Sequence, residues 1–135
     1  MTAHFYKRFY KQLGKLLYAV AKADGKVQEP EVKAIHEIVV ADLLPLEESM
    51  DAFGTDAAFY AEFEFDLLLD RDVHKDLAYK DFLNYLKESD KNIDDRLRAL
   101  ILKSVEKVAE AYHGTEEPEA ELIADLKQHL FAHGS

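Results

Sequence analysis

Apolar residues recur at steps of three and four along most of the chain, and this spacing constrains the fold more than any other feature. The first run shows it between Phe5 and Ala23 and predicts one face of an amphipathic helix. The face comprises Phe5, Phe9, Leu13, Leu16, Leu17 and Val20. Only five glycines and three prolines interrupt the 135 residues, and most of them fall between the periodic runs. The pattern therefore predicts an all-α fold.

Helix stop and start signals divide the runs into about six or seven helices. Gly25 is predicted to end the first helix, Pro30 to stand in the first turn of the second, and Pro45 to end that helix. Gly14, inside the first helix, indicates close packing. Later helices are predicted to begin at Thr55-Asp56, before Leu77, at Asp94-Asp95 and at Glu117-Pro118-Glu119, with Gly114 ending the fifth and a connector over 46–55.

One segment, residues 63–67, alternates between apolar and acidic residues and is also compatible with a strand. A single strand in a helical chain would leave its backbone groups unpaired, so we predict a helix there.

An internal repeat links the two ends of the chain at an offset of 88 residues. The motif Ala-Lys-Ala followed by Glu-Pro-Glu at 21–31 corresponds to Ala-Glu-Ala followed by Glu-Pro-Glu at 109–119. Core positions agree at the same offset, as in the pairs Leu13 and Ile101, Val20 and Val108, and Ile35 and Ile123. We therefore expect a compact bundle built from two similar helix-loop-helix halves. Chance similarity between short helix pairs is the other interpretation.

Composition narrows the functional classes. The net charge of −10 disfavours nucleic acid and anionic lipid and favours cations or basic protein partners. The absence of cysteine excludes disulfides, thiolate metal sites and thiol redox chemistry. No apolar run has the length of a membrane span, and the N-terminus lacks the apolar centre of a signal peptide. We expect one cytoplasmic domain over residues 1–135.

The loop after the first helix is similar to the second half of a calcium-binding EF-hand. Counted from Val20 as position one, Asp24 is position five, Gly25 position six and Glu31 position twelve. Positions one and three are Val20 and Lys22, however, where the motif requires acids. A hard cation needs six to eight oxygen ligands, so this loop alone cannot be a complete calcium site. Either Asp24 and Glu31 contribute to a partial cation site completed elsewhere, or Gly25 and Glu31 serve only to stop one helix and cap the next.

The same segment carries a family resemblance. The motif consists of Leu16-Leu17, the run from Val20 to Val27 with its Ala-Asp-Gly loop, Glu31 and an isoleucine-rich helix. It resembles the TerB-like (tellurite-resistance protein B) family, which includes the N-terminal region of some membrane-anchored J-domain co-chaperones. The resemblance covers 13–39 well and 97–130 weakly. It implies an all-helical domain of two similar halves. It also implies an acidic surface for metal ions or partner proteins, with Asp24 and Glu31 as the residues carried over.

We therefore expect a stress-associated, non-enzymatic module that responds to a divalent cation such as calcium or acts as an adaptor for a protein partner, with the negative charge favouring a basic one. The alternative is a pure protein-interaction domain without metal. No phosphate-binding glycine loop or activated nucleophile is present, so no enzyme is predicted.

Three further groups of side chains have both a structural and a functional interpretation. His129 and His133 share a helix face at a spacing that can bind zinc, but surface histidines are expected. Acids cluster in 62–72 and 116–121, as solvated faces or as a surface for a cation or basic partner. The third group consists of basic residues that alternate with aromatic residues in the first helix. They are either the solvated side of a helix whose other face is in the core, or an arm for peripheral membrane or partner contact. This group comprises Lys7, Arg8, Lys11 and Lys15.

Overall fold

The computed structural model describes residues 3–45, 57–111 and 117–131, and those ranges contain six α-helices and no strand. The all-α prediction is confirmed. In chain order the helices are α1 (Ala3–Ala21), α2 (Glu29–Ile38), α3 (Phe59–Asp70), α4 (Lys75–Glu88), α5 (Asp95–Glu110) and α6 (Glu117–Phe131). A π-helical turn, Val39–Leu43, extends α2, and a 3₁₀ turn, Asp90–Asn92, precedes α5.

Helix α1 is the centre of the bundle and packs against α3, α4, α5 and α6. Its predicted apolar face is buried from Phe9 to Val20. Gly14 lies where α1 crosses α3, and a Cβ there would overlap the carbonyl oxygen of Ala61. The close packing predicted at this glycine is therefore confirmed, because any larger residue would push the two helices apart.

Two predicted helix ends agree with the structure, whereas Pro45, which is predicted to end the second helix, is itself helical. Gly25 adopts a φ of 104°, a conformation that side chains rarely tolerate, and α1 ends four residues earlier, at Ala21. Helix α5 begins after Asp94, whose Oδ1 accepts a hydrogen bond from Leu97 N–H at 2.9 Å. The predicted Thr55-Asp56 start, the connector and the Gly114 stop lie outside the described residues.

Helix α3 confirms the choice of helix over strand at 63–67. Its inner face buries Ala61, Phe65 and Leu68, whereas Phe63 is 62% exposed. The alternation between apolar and acidic residues therefore does not mark a sheet. It arises because apolar side chains occupy both the inner and the outer face of one helix.

The two ends of the chain form corresponding helix pairs. Helix α2 begins at Glu29 and α6 begins 88 residues later at Glu117. Helix α2 packs on α5, the long helix of the other half, and α6 contacts α1 as well as α5. Each short helix therefore lies against the long helix of the opposite half. No helix among the described residues is long and apolar enough to cross a membrane.

Candidate functional site

The loop between α1 and α2 presents Asp24 at the surface. Its side chain is exposed, and Oδ1 accepts a hydrogen bond from Lys26 N–H at 3.3 Å. This contact spans the left-handed Gly25 and helps to fix the turn. One of the two predicted ion-binding carboxylates thus has a local structural role.

Glu31 has a different environment, in the first turn of α2. Only 1% of its surface is exposed, and its Oε1 accepts a hydrogen bond from Gln28 N–H at 2.7 Å. A glutamate that accepts from the N–H of the N-cap residue three positions earlier forms one half of a capping box. A glutamate in a capping box usually remains at the surface, so its burial requires a further explanation.

The partner of Glu31 is Glu119, its equivalent in the repeat. Glu119 lies in the first turn of α6, is also 1% exposed, and its carboxyl forms a hydrogen bond with that of Glu31. We call these two side chains the carboxyl pair. Two carboxylates cannot hydrogen-bond to each other without a proton, so one member of the pair carries an O–H that donates to the other.

Burial raises the pKa of Glu31 to about 8, from an ordinary value of 4.5. The hydrogen bond from Gln28 N–H opposes this shift, while the charge and hydrogen bond of Glu119 and the charge of Asp24 add to it. The pair therefore retains a proton at neutral pH. Buried pairs of like-charged groups with a shifted pKa are typical of functional sites, although structural networks also contain them.

The described residues do not form a complete metal site. No group of three or more histidine, aspartate and glutamate side chains within 3–45, 57–111 and 117–131 has an arrangement that could hold an ion. The carboxyl pair offers at most four oxygens, and a hard cation would need water or backbone carbonyls in addition. The donor chemistry suits calcium or magnesium, and any such ion would have to displace the shared proton.

The other predicted candidates are engaged in local contacts. His129 Nε2 lies 3.5 Å from an oxygen of Asp125 one turn away, and His133 is outside the described residues. In the basic group of α1, Arg8 pairs with Glu88 at 3.0 Å and Lys15 with Asp81 at 3.7 Å. These pairs support the interpretation of the group as solvated backing of the α1 core face.

Sequence reasoning missed two residues. The first is Glu119, which the sequence analysis assigns to an acidic surface cluster, although the 88-residue repeat makes it the equivalent of Glu31. Arg98 is fully buried in α5 and donates to the carbonyl oxygens of Ile93 at 2.9 Å, Leu130 at 2.7 Å and Asp90 at 3.0 Å. Its Nη2 also lies 2.7 Å from Asp90 Oδ1. No motif marks a buried arginine, and only its place on the apolar stripe of α5 signals it.

Comparison of the chain with protein-family models, curated proteins and solved structures finds no match.

Proposed function

We propose that this chain is a non-enzymatic, TerB-like binding module that responds to cations through the carboxyl pair. The observation that carries the proposal is the burial of Glu31 against Glu119, each 1% exposed. A buried carboxylate costs several kcal/mol unless a positive charge or a proton compensates it. The pair therefore exchanges one compensating cation, the proton, for another when a divalent ion is available.

The position of the pair supports a response rather than simple storage of an ion. Glu31 belongs to α2 of the first half and Glu119 to α6 of the second half. An ion shared between their oxygens would tie these helices more tightly than a single shared proton does. Cation binding would then stabilise the relation between the two halves, which is how a ligand-responsive module changes its affinity for a partner.

Asp24 would act at a distance in this scheme. Its charge raises the pKa of Glu31, so it increases the negative potential at the pair without lining it. An approaching cation would be attracted through the exposed loop. The family resemblance, which singled out Asp24 and Glu31, is in keeping with this arrangement.

A second candidate is a protein-interaction module without metal binding. One observation favours it. Both carboxylates already accept a backbone hydrogen bond: Asp24 accepts one from Lys26 N–H, and Glu31 accepts one from Gln28 N–H. In that case the geometry of the loop serves to stop one helix and start the next, and the carboxyl pair is a structural hydrogen bond between the halves.

Calorimetric titration with calcium, magnesium, manganese and zinc separates the two. We expect binding, with a rise in melting temperature, that strengthens as the pH increases through about 8, because the ion displaces the proton. Glu31→Gln and Glu119→Gln should abolish both signals while the shape of the pair is retained. Glu29→Gln, an exposed residue of the same turn, is the matched control and should bind as the original chain does.

The absence of heat and of any melting shift with all four ions, at a pH above that range, would overturn the cation proposal and leave the interaction module. Equal binding by the Glu31→Gln and Glu29→Gln variants would place the ion elsewhere and overturn it as well.

A further inference from the structure

The outward side of α3 carries two parallel rows of side chains. Glu62, Asp66 and Asp70 follow one another at four-residue intervals, and Phe63 and Leu67 form a second row beside them. Residues four apart lie above one another on a helix, so each row is continuous. We call these five residues the outer face of α3.

The apolar row is not part of the core. Phe63 is 62% and Leu67 is 39% exposed, whereas the core contacts of α3 are made by residues on the opposite side of the helix. Phe63 packs edge-on against Tyr60, with ring centroids 6.1 Å apart, and Lys7 lies 4.8 Å from the centre of the Tyr60 ring. The exposed phenylalanine is therefore held in place by its own chain, which lowers the entropy cost of burying it against a partner.

Few basic side chains of the described residues approach the acidic row. Helix α3 contains no lysine or arginine, and among the described residues only His36 contacts the row, at 3.2 Å from Glu62. No basic side chain of the described residues forms an ion pair with Asp66 or Asp70. Partial burial and the charge of Glu62 raise the pKa of Asp66. Within 3–45, 57–111 and 117–131, the carboxylates of Asp66 and Asp70 therefore have no cationic counterpart, and a cationic surface of a partner would supply one.

We infer that the outer face of α3 is the docking surface for a basic amphipathic helix of a partner protein. An apolar row on such a helix would cover Phe63 and Leu67, and flanking lysine or arginine would meet Glu62, Asp66 and Asp70. A helix fits because both rows run along α3 for two to three turns, a length over which two helices can pack against each other. The inference is independent of the carboxyl pair and holds whether or not a cation binds there.

A second copy of this chain is a poorer occupant. In a two-fold dimer the same surface meets itself, which would bring two uncompensated acidic rows together on chains that each carry a net charge of −10. Nucleic acid and anionic lipid are disfavoured by the same charge.

The test uses a synthetic helical peptide of about 18 residues, five turns, with leucine along one face and lysine elsewhere. Its control is a peptide of identical composition with the order permuted so that no face is apolar. We expect the amphipathic peptide to bind the full chain about tenfold more tightly than its isomer in calorimetry, since only it offers a continuous apolar row. Amide shift changes in NMR spectra should concentrate on 59–70.

Two variants locate the site. Phe63→Ser with Leu67→Ser should weaken peptide binding about tenfold without lowering the melting temperature, because both side chains are exposed. Leu77→Ser is the matched control, since Leu77 is 56% exposed on α4 and lies outside the outer face. It should bind as the unaltered chain does. Asp66→Asn with Asp70→Asn should weaken binding and flatten its dependence on salt.

Three results would overturn the inference. Equal affinity for the two peptides would show that net charge alone attracts them. Equal loss of binding in the Leu77→Ser variant would show that any exposed apolar residue suffices. A dimer in sedimentation experiments that the Phe63→Ser, Leu67→Ser variant dissolves would make a second copy the occupant.

Discussion

The two halves of the bundle keep the same helix restart but fill their interiors differently. At the start of the short helices both halves bury a glutamate, Glu31 in one and Glu119 in the other. Within the long helices they diverge, because Tyr10 of α1 corresponds to Arg98 of α5 at the same 88-residue offset, and both are fully buried. The shared position is polar and paired, while the diverged position is aromatic in one half and cationic in the other.

This difference shows which positions depend on the relation between the halves. Glu31 and Glu119 meet each other, so neither can change alone without disturbing its counterpart. Tyr10 packs with its neighbours on α1, 5.6 Å from the Phe9 ring, and Arg98 binds backbone carbonyls near the end of α6. The ring contact of Tyr10 lies within α1, and the contact of Arg98 with α6 lies within the second half.

The largest expected effect comes from removing the buried arginine side chain of the second half. Arg98→Met should reduce the free energy of unfolding by about 4 kcal/mol, because the buried carbonyl oxygens of Ile93 and Leu130 and the partly buried oxygens of Asp90 lose their donor. Urea unfolding measures the change. Arg96→Met, an exposed arginine of the same helix, is the control and should change stability by less than about 0.5 kcal/mol. A similar small loss for Arg98→Met would mean that α6 does not depend on this residue.

A smaller effect is expected at a position where only the first half has a glycine at a close helix crossing. Gly14 of α1 corresponds to Leu102 of α5, which is only partly buried. Gly14→Ala should cost about 3 kcal/mol, because the added Cβ overlaps backbone of α3 that cannot move aside. Thermal unfolding tests this. The usual gain from replacing a helical glycine by alanine, about 1 kcal/mol, is the outcome that would contradict the close approach.

The third expected effect is the pH dependence of the position that the halves share. Glu31 has an ordinary pKa of 4.5 and a folded value of about 8, so its contribution to stability is fully present below pH 4.5 and is lost as the pH rises to 8. In that window the folded state holds one proton more than the unfolded state. The free energy of unfolding should therefore fall as the pH rises across this window.

Urea titrations from acid to alkaline pH, run in parallel on Glu31→Gln, isolate the contribution. The amide keeps the acceptor oxygen for Gln28 N–H but cannot lose a proton, so its stability should vary less with pH. Parallel pH profiles for the two proteins would show that the carboxyl pair is not protonated at neutral pH.

The local signals in the sequence predicted most of the helices, because periodicity, glycine and capping residues act within a few positions of one another. Gly25, Asp94 and the spacing of Gln28 and Glu31 each work within a single turn of chain. The helical choice at 63–67 followed from the need to pair backbone groups, which is also a local requirement.

The rest depended on tertiary contacts that residue type does not encode. Glutamate and arginine are normally exposed, so nothing in their identity indicates that Glu119 and Arg98 are buried. The reverse holds for Phe63, an aromatic residue at helical spacing that faces outward. The 88-residue repeat was the one long-range signal available, and applying it to function as well as to fold would have paired Glu31 with Glu119.

The central position of α1 has a consequence for synthesis of the protein. The helices that cover it, α3 to α6, all lie later in the chain, and its end is held by residues about 50 positions downstream. Tyr18 donates to the Val73 carbonyl at 2.6 Å and Lys75 to the Ala23 carbonyl at 2.6 Å. On the ribosome, therefore, the most aromatic helix emerges long before its partners. A chaperone that binds the nascent chain would meet an uncovered α1 first.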